Sequence, residues 1–315
     1  TFISIPGLAY RDNWFFLQLA LGYILGRILV SIFLLPAYFK GGISSIYEVL
    51  GQRFGKKIQK TASGVFLVTR ILADGIRFLA TAVIVQVVTG WSLPVAVLII
   101  GVVTIVYTLM GGIRTVVWVD SFQFVLYIGG GLIAIGYILM HSDASLGTML
   151  AQLNDQGKLD VVRWGWDLFS NPWLFLSAVF GGMLLSFASH GADYMMVQRI
   201  LSVRDLAGAR KAMVGSGIFV FIQFTVFLLA GSLIYIYLGG IDLEKDREFS
   251  TFIVSELPVG LKGLLLAGVL SAAMSTLSSS INSLASSTTT DWLGGKSTIK
   301  TSRLISLAWA IILIG

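Results

Sequence analysis

The feature that most constrains this chain is its series of long apolar runs, which a soluble core does not require. Runs of about 18 or more apolar residues are long enough to cross the hydrocarbon core of a bilayer as helices. Only 12% of the residues are charged, against about 25% in an average soluble domain. The ten-residue alternation of a membrane β-barrel does not occur in the sequence. The sequence therefore predicts an all-α integral membrane protein.

The apolar runs predict about eight spans. A shorter segment before residue 13 is interpreted as the tail of a further span whose start is missing, which Pro6 and Gly7 would end. Residues 1–315 are expected to form one transmembrane transporter domain, a fragment truncated at both ends. The predicted spans have approximate limits 14–38, 61–90, 92–110, 117–140, 173–197, 212–238, 260–290, and a truncated one from about 302.

Basic residues divide unevenly between the predicted loops. If the loop from Lys40 to Lys60 is cytoplasmic, most of the remaining lysines and arginines fall on the same side and most acids fall outside. This is the distribution of the positive-inside rule. It accounts for the net charge of +6 without nucleic acid, which is not an expected partner. We expect a multi-pass protein of the cell inner (plasma) membrane, surrounded by the lipid bilayer. No pattern indicates its oligomeric state.

Charged residues inside the span 61–90 form the first polar constellation. Arg70 and Asp74 are spaced i,i+4, and Asp74 and Arg77 are spaced i,i+3, so the three share one helix face. One interpretation is a structural ion cluster that faces neighbouring helices. The other is a water-lined face on which Asp74 or Arg77 contacts a polar substrate. The spacing predicts the pairing and leaves both interpretations open.

The second constellation is the stretch Ser271–Thr290, in which twelve of twenty residues are Ser or Thr. Such a run is often a flexible linker, but here an apolar segment leads directly into it. Helix packing and bonds back to the helix backbone explain most of the hydroxyls. Their density inside a span also suits a hard monovalent cation such as Na⁺, which takes neutral oxygen ligands. Ser275, Thr276 and the carbonyl of Ala272 could supply three of these ligands.

The third constellation ends the span 173–197 with Ser186, Ser189, His190 and Asp193. A single histidine at membrane depth is more often a hydrogen-bonded packing residue than a ligand. The chain has two histidines and no cysteine, which argues against a catalytic metal site. It contains no Walker loop, no G-x-S-x-G and no H-E-x-x-H motif. The sequence therefore predicts that this protein is not an enzyme.

Several segments, in this order along the chain, resemble the sodium:solute symporter family. The most specific are GGIRTVVWVDSFQ at 111–123 and the segment 257–291, which ends SSSINSLASSTTTD. Supporting segments are PGLAY at 6–10, QRFGKK at 52–57 and MVQR at 196–199. The resemblance runs over essentially the whole chain.

The resemblance implies a leucine-transporter-like inverted-repeat fold. In this fold the first helix of each repeat is broken and the solute site lies at the midplane. The implied function is Na⁺-coupled symport of a small polar solute by alternating access. Carried over to this sequence, the family's sodium site falls on the carbonyl of Ala272 and the hydroxyls of Ser275 and Thr276. Asp120 matches the acid near the sodium exit route.

For the solute, the resemblance points to Thr1, Asp74, Ser186 and Ser189, and the shared helix face adds Arg77. A sugar, polyol, sugar acid or amino acid would suit these residues.

Two alternatives to Na⁺ symport stay open. A proton-coupled transporter of the same fold would use Asp74 or Asp120 as the proton carrier. A symporter-like membrane module could instead be the sensory input of a signalling kinase.

Overall fold

The computed structural model of the chain describes residues 4–40, 43, 45–166, 171–295 and 297–314. Within helices, it leaves undescribed the side chains of residues 80, 84, 87–88, 107, 110–117 and 272–273. Helices are the only regular elements in the described ranges. In chain order they are α1 (Ser4–Arg11), α2 (Phe16–Lys40), α3 (Ile46–Phe54), α4 (Lys56–Thr89), α5 (Leu93–His141), α6 (Leu146–Asp155), α7 (Phe175–Gly191), α8 (Tyr194–Leu201), α9 (Leu206–Tyr237), α10 (Glu248–Glu256), α11 (Val259–Trp292) and α12 (Ile299–Ile314).

Length and composition allow several of these helices to cross a membrane. Within the described ranges, four segments qualify: Phe16–Lys40, Trp118–His141, Leu206–Tyr237 and Val259–Trp292. The pair α7 and α8 adds a fifth if it is counted as one bent span. Because a bilayer core is about 30 Å thick, helices of this length and apolarity are those expected of a multi-pass membrane protein. The total of about eight spans stays a prediction.

Helix α5 differs from the sequence prediction. The sequence predicts two spans, 92–110 and 117–140, whereas the structure has one helix from Leu93 to His141. Pro94 lies in its first turn, and no later proline in the segment removes a backbone donor. Gly111 and Gly112 lower the helix propensity there without ending the helix. With 49 residues, the helix is about 74 Å long, more than twice the thickness of a bilayer core.

The chain divides into two compact units. The first unit comprises residues 1–31, 126–188 and 211–267. Within it, α2 and α7 approach so closely that a Cβ atom on Gly22 or Gly26 would overlap the α7 backbone at Val179 or Met183. Gly182 meets the α2 backbone in the same way at Leu19. Small residues at this interface allow the backbones to touch, which is how membrane helices gain packing energy.

The second unit comprises residues 32–125, 189–210 and 268–315. Its apolar core joins Tyr47 of α3, Phe66 of α4 and Tyr194 of α8, whose rings lie 5.5–6.0 Å apart. Leu277 and Ile281 of α11 are buried in the same core. One face of the serine-rich helix α11 is therefore held by apolar packing, and its hydroxyls occupy the other positions.

A sharp break separates α7 from α8. The two helices are bent by 64° at Ala192 and Asp193. The side chain of Asp193 caps α8 by accepting from the backbone N–H groups of Met195 (2.9 Å) and Met196 (3.3 Å). The hydroxyl of Tyr38 donates to the carbonyl of Gly191 at 2.6 Å. The resemblance implies that the spans from residue 173 onward begin the second repeat, so the break lies in the helix expected to be broken there.

Candidate sodium and solute site

The hydroxyls of the Ser/Thr stretch fall into two groups. The first group bonds back to α11 itself, as helix packing predicts, at distances of 2.8–3.1 Å. The second group reaches side chains on other helices of the second unit. The first group comprises Ser278, Ser283, Thr288 and Thr289, and the second Ser275, Ser279, Ser280, Ser286 and Ser287. The second group marks where α11 meets charged or polar partners.

Asp120 of α5 forms the first of these meeting points. Ser275 and Ser279, one helical turn apart on α11, both donate to its carboxylate. Arg199 at the end of α8 approaches the same carboxylate at 2.6 Å and also donates to Ser279. Asp120 retains 15% exposure of its side chain and Arg199 retains 33%. The result is a partly accessible cluster of one carboxylate and two hydroxyls with a single arginine.

The donor set of this cluster matches hard-cation chemistry. Carboxylate, hydroxyl and carbonyl oxygens are the ligands that hard cations take, whereas softer transition metals favour imidazole and thiolate. In the described part of the chain, no group of three or more His, Cys, Asp or Glu side chains could hold a metal ion. The oxygens gathered around Asp120 come from one carboxylate and two hydroxyls.

The predicted sodium ligands lie on the same helix as this cluster. Ser275 is brought directly to Asp120, so the predicted ligand and the predicted exit-route acid are in contact. Thr276, its neighbour in sequence, is partly buried. Of Ala272 the structure describes only its place within α11. The sodium assignment of all three residues stays a prediction.

Asp74 of α4 forms the second meeting point. Its carboxylate accepts from Ser280 of α11, from Arg70 one turn before it, and from Arg77 at 3.2 Å. Asp74 is 1% exposed and Arg70 is 7% exposed. Arg70 also reaches Asp193, the cap of α8, at 3.2 Å. The i,i+3 and i,i+4 pairing predicted from the sequence is confirmed, within a network that extends to the helix break.

The network around Asp74 contains one unused donor. The Nη2 atom of Arg70 is buried and has no hydrogen-bond partner among the described residues. A buried donor without a partner loses its hydration without compensation. A solute acceptor group beside the helix break would satisfy this nitrogen. Arg77, by contrast, is 62% exposed.

The remaining predicted solute residues are Ser186, Ser189 and Thr1. Ser186 is 2% exposed and donates to the carbonyl of Tyr23 at 2.9 Å within the first unit. Ser189 bonds the Nδ1 atom of His190 at 2.9 Å within the second unit. Thr1 lies outside the described residues. The solute roles of these residues stay predictions.

Sequence reasoning assigned no site role to several residues that these clusters contain. Ser279 lies four residues after Ser275, so the i,i+4 spacing could have found it. Arg199 and Asp193 are charged groups at the ends of a short apolar helix, which marks them as functional candidates at membrane depth. Ser280 has no such signal, because only the packing of α11 against α4 brings it to Asp74.

A third buried carboxylate, Asp291, follows the serine stretch. It accepts from Ser45 (3.1 Å), Gln59 (2.8 Å) and Ser287 (3.0 Å) and is 5% exposed. A π turn over Thr288–Trp292 carries it. Its donors are neutral groups, and no ion pair within the described ranges includes it.

Comparison with known proteins decides the family. The family model described as the sodium:solute symporter family matches residues 1–314. The chain belongs to the sodium:solute symporter family. The human sodium/iodide cotransporter is 28% identical over 301 residues, covering 92% of this chain and 46% of that protein. The sodium/sialic acid symporter SiaT of Proteus mirabilis is 30% identical over 298 residues, covering 91% and 59%. The chain spans about half the length of the curated relatives it matches.

A solved structure extends the comparison to the fold. A Na⁺-coupled sialic acid symporter in a substrate-bound, outward-open state, described as having a novel Na⁺ site, matches with a TM-score of 0.89. The sequence identity is 25%, and the match covers 99% of this chain and 69% of that one. The predicted leucine-transporter-like helical fold is confirmed. The relatives named here are transporters rather than enzymes, as the sequence predicts.

Proposed function

We propose that the complete protein is a Na⁺-coupled secondary active symporter of a small polar solute in the cell inner (plasma) membrane. The observation that carries the proposal is the oxygen cluster of Asp120, Ser275 and Ser279. It lies on the helix where family resemblance assigns sodium, next to Thr276. Sodium-coupled relatives support the choice of ion.

The geometry supports a specific role for Arg199. Without Na⁺, its guanidinium neutralises Asp120 and holds Ser279. A Na⁺ ion taken up by Ser275, Thr276 and the carbonyl of Ala272 competes with this guanidinium for the nearby carboxylate. Na⁺ and the guanidinium of Arg199 are then alternative partners of the Asp120 carboxylate. Because Asp120 can hold the departing ion, we expect Na⁺ to leave its site past Asp120.

Coupling follows from linkage between the ion and the solute. Na⁺ that stabilises the solute-binding arrangement raises solute affinity, and the solute raises Na⁺ affinity by the same factor. The membrane potential adds about 2.3 kcal/mol per charge per 100 mV to the inward driving force. The solute would meet Asp74, Arg77, Ser186, Ser189 and Thr1.

The solute class is broad on present grounds. A sugar, polyol, sugar acid or amino acid would each use the hydroxyls and charges of this set. The named relatives transport iodide and sialic acid, so family membership alone does not select among these solutes. A panel of radiolabelled solutes on the complete protein, with and without Na⁺, identifies the substrate.

Uptake into proteoliposomes tests the coupling ion. We expect uptake with Na⁺ and none when K⁺ or choline replaces it. Ser275→Ala and Thr276→Ala should each raise the Na⁺ concentration for half-maximal uptake by about threefold to tenfold, the worth of one neutral hydrogen-bonding group. Ser283→Ala is the matched control, because among the described residues this buried hydroxyl bonds only to its own helix. Uptake that is unchanged without Na⁺ contradicts the proposal.

Proton coupling is the second candidate, and Asp120 is the observation that favours it. Its carboxylate keeps 15% exposure and pairs with a single arginine, so a proton could replace the guanidinium as its partner. Uptake that follows the pH gradient and ignores Na⁺ would select this candidate. A sensory module of a signalling kinase stays an alternative on which the described residues do not bear.

A further inference from the structure

A cavity of about 140 Å³ lies in the first unit, between the α1–α2 loop and the segment that precedes α7. The distribution of basic residues assigns this end of the chain's helices to the exterior. Its walls include Asp12, Asn13, Phe15, Phe16, Arg163 and Trp173. It contains none of the residues in the candidate sodium and solute site.

The walls of this cavity are fixed by one buried side chain. Gln18 is 2% exposed. Its amide oxygen accepts from the backbone N–H of Arg163 at 3.2 Å, and its amide nitrogen donates to the carbonyls of Trp173 (3.1 Å) and Phe15 (3.2 Å). The backbone N–H of Trp14 donates to the carbonyl of Asp160 at 3.0 Å. Three wall segments are therefore held in one arrangement, and preorganisation of this kind lowers the cost of binding.

The cavity presents one full charge of each sign and an aromatic lining. Of the ion pairs formed by described residues, none joins Asp12 to Arg163, although both line the same space. The Arg163 guanidinium lies 5.8 Å from the ring of Phe15. The rings of Phe16 and Trp173 lie 6.4 Å apart at 49°. Aromatic faces attract cations, and a guanidinium binds carboxylates with two parallel hydrogen bonds.

We propose that this cavity binds a small zwitterion, with its carboxylate on Arg163 and its ammonium group between Asp12 and the aromatic walls. This inference rests on the proposed function: the cavity would bind the transported solute from the exterior before the solute reaches the central site. The substrate class then narrows to small amino acids and related zwitterions.

Charge and size together favour this class. A pure anion would meet the negative charge of Asp12, and a pure cation would meet the positive charge of Arg163. A neutral sugar would pair with neither charge, although Asp12 also interacts with Lys158 beside the cavity. A cavity of about 150 Å³ holds a molecule the size of benzene, so about six to nine non-hydrogen atoms fit here. A ligand as large as sialic acid exceeds this space.

Calorimetric titration of the full-length protein in Na⁺-free buffer tests the proposal, with L-valine as the probe. Two size-matched analogues each lack one charge: 3-methylbutanoate lacks the ammonium group, and L-valinamide lacks the carboxylate. We expect L-valine to bind at least about tenfold more tightly than either analogue, because each charge-assisted contact is lost in turn. Equal binding of the three probes, or no binding of L-valine at about 10 mM, overturns the proposal.

Variants assign the two charges. Arg163→Gln should remove the preference for L-valine over L-valinamide, and Asp12→Asn the preference over 3-methylbutanoate, while Arg163→Lys retains the first preference. A change in folding alone cannot produce this crossed pattern. Arg247→Gln, at an exposed arginine outside the cavity that pairs with Glu244, is the control. Affinities that fall equally for all probes in both variants contradict the assignment.

The sodium dependence separates this proposal from the proposed function. L-valine binding without Na⁺ reports on the cavity alone, whereas ion-dependent uptake reports on symport. If binding shows the crossed pattern but uptake does not depend on Na⁺, the zwitterion site is supported and Na⁺ symport is contradicted. If uptake requires Na⁺ but the crossed pattern is absent, Na⁺ symport is supported and the zwitterion site is contradicted.

Discussion

Two carboxylates, one buried and one partly exposed, meet the same serine-rich helix, and their surroundings differ. Asp74 is 1% exposed and accepts from two arginines and Ser280. Asp120 is 15% exposed and accepts from one arginine and two serines. Both contacts lie within the second unit, and the serines involved are close in sequence. The difference is therefore one of charge balance and access rather than of position along α11.

The comparison assigns Asp74 a structural role and Asp120 a role in which its cationic partner can be exchanged for Na⁺. Asp74 is buried, and its negative charge is paired with the guanidinium groups of Arg70 and Arg77. Removal of one partner from a buried ion pair lowers the free energy of unfolding strongly. Asp120 has a single arginine, which remains one-third exposed, and hydroxyl ligands that suit Na⁺ equally well. We therefore expect loss of Asp74 to affect folding first and loss of Asp120 to affect sodium first.

The largest expected effect is on stability, from Asp74→Asn. The substitution breaks the buried pair of Asp74 with Arg70 and leaves Asp193 as the remaining carboxylate partner of Arg70 among the described residues. The expected loss is about 3–5 kcal/mol of unfolding free energy. Thermal unfolding of the purified full-length protein measures it, with Asp143→Asn in a loop as the control. A variant as stable as the parent protein would contradict the structural role of Asp74.

Asp120→Asn should leave the protein folded and raise its sodium requirement. Arg199 still bonds Ser279 in this variant, so the structural cost is small. Loss of a charged oxygen near the ion should raise the half-saturating Na⁺ concentration by about tenfold to a hundredfold. Sodium-dependent uptake at varied Na⁺ measures the shift. Strong destabilisation with an unchanged Na⁺ requirement would erase the distinction between the two carboxylates.

Two adjacent serines sharpen the comparison with a matched pair of variants. Ser279→Ala removes a hydroxyl from Asp120 and should raise the Na⁺ requirement by about threefold to tenfold. Ser280→Ala removes one from Asp74 and should lower the unfolding free energy by about 1–2 kcal/mol with no change in Na⁺ requirement. Uptake and thermal unfolding are measured on both. The same outcome for both variants would contradict the separation.

The smallest effect is expected from Arg77→Gln. Because this arginine is 62% exposed, solvent screens its pair with Asp74, and the loss should be at most about 1 kcal/mol. Arg70→Gln, at the buried partner of the same carboxylate, should cost several times more. Thermal unfolding of the two variants side by side measures the ratio. Equal losses of unfolding free energy would show that solvent exposure does not determine how much each ion pair stabilises the protein.

Much of the fold follows from the sequence. Apolar length predicts the membrane helices, and the family motifs predict the fold. The resemblance implies a broken first helix in each repeat, but the position of the break at Gly191–Asp193 comes from the structure. Pairing on one helix, as for Arg70 and Asp74, follows from i,i+4 spacing. The continuity of α5 was missed because Gly111, Gly112 and Arg114 together look like a turn between two spans.

Contacts between helices could not be predicted in the same way. Ser279 and Ser280 are neighbours in sequence, yet they point about 100° apart on the helix and reach different carboxylates. Which carboxylate each one meets depends on how α4, α5 and α11 pack. The π turn that presents Asp291 likewise shifts the helix register by an amount that no spacing rule encodes.

Binding of radiolabelled Na⁺ to the full-length protein tests the central claim most directly. The account predicts saturable binding whose half-saturating Na⁺ concentration rises by about threefold to tenfold in Ser275→Ala. It predicts no change in Ser283→Ala, whose hydroxyl donates to the carbonyl of Ser280 on its own helix. Equal Na⁺ binding by the parent protein and Ser275→Ala would contradict the account.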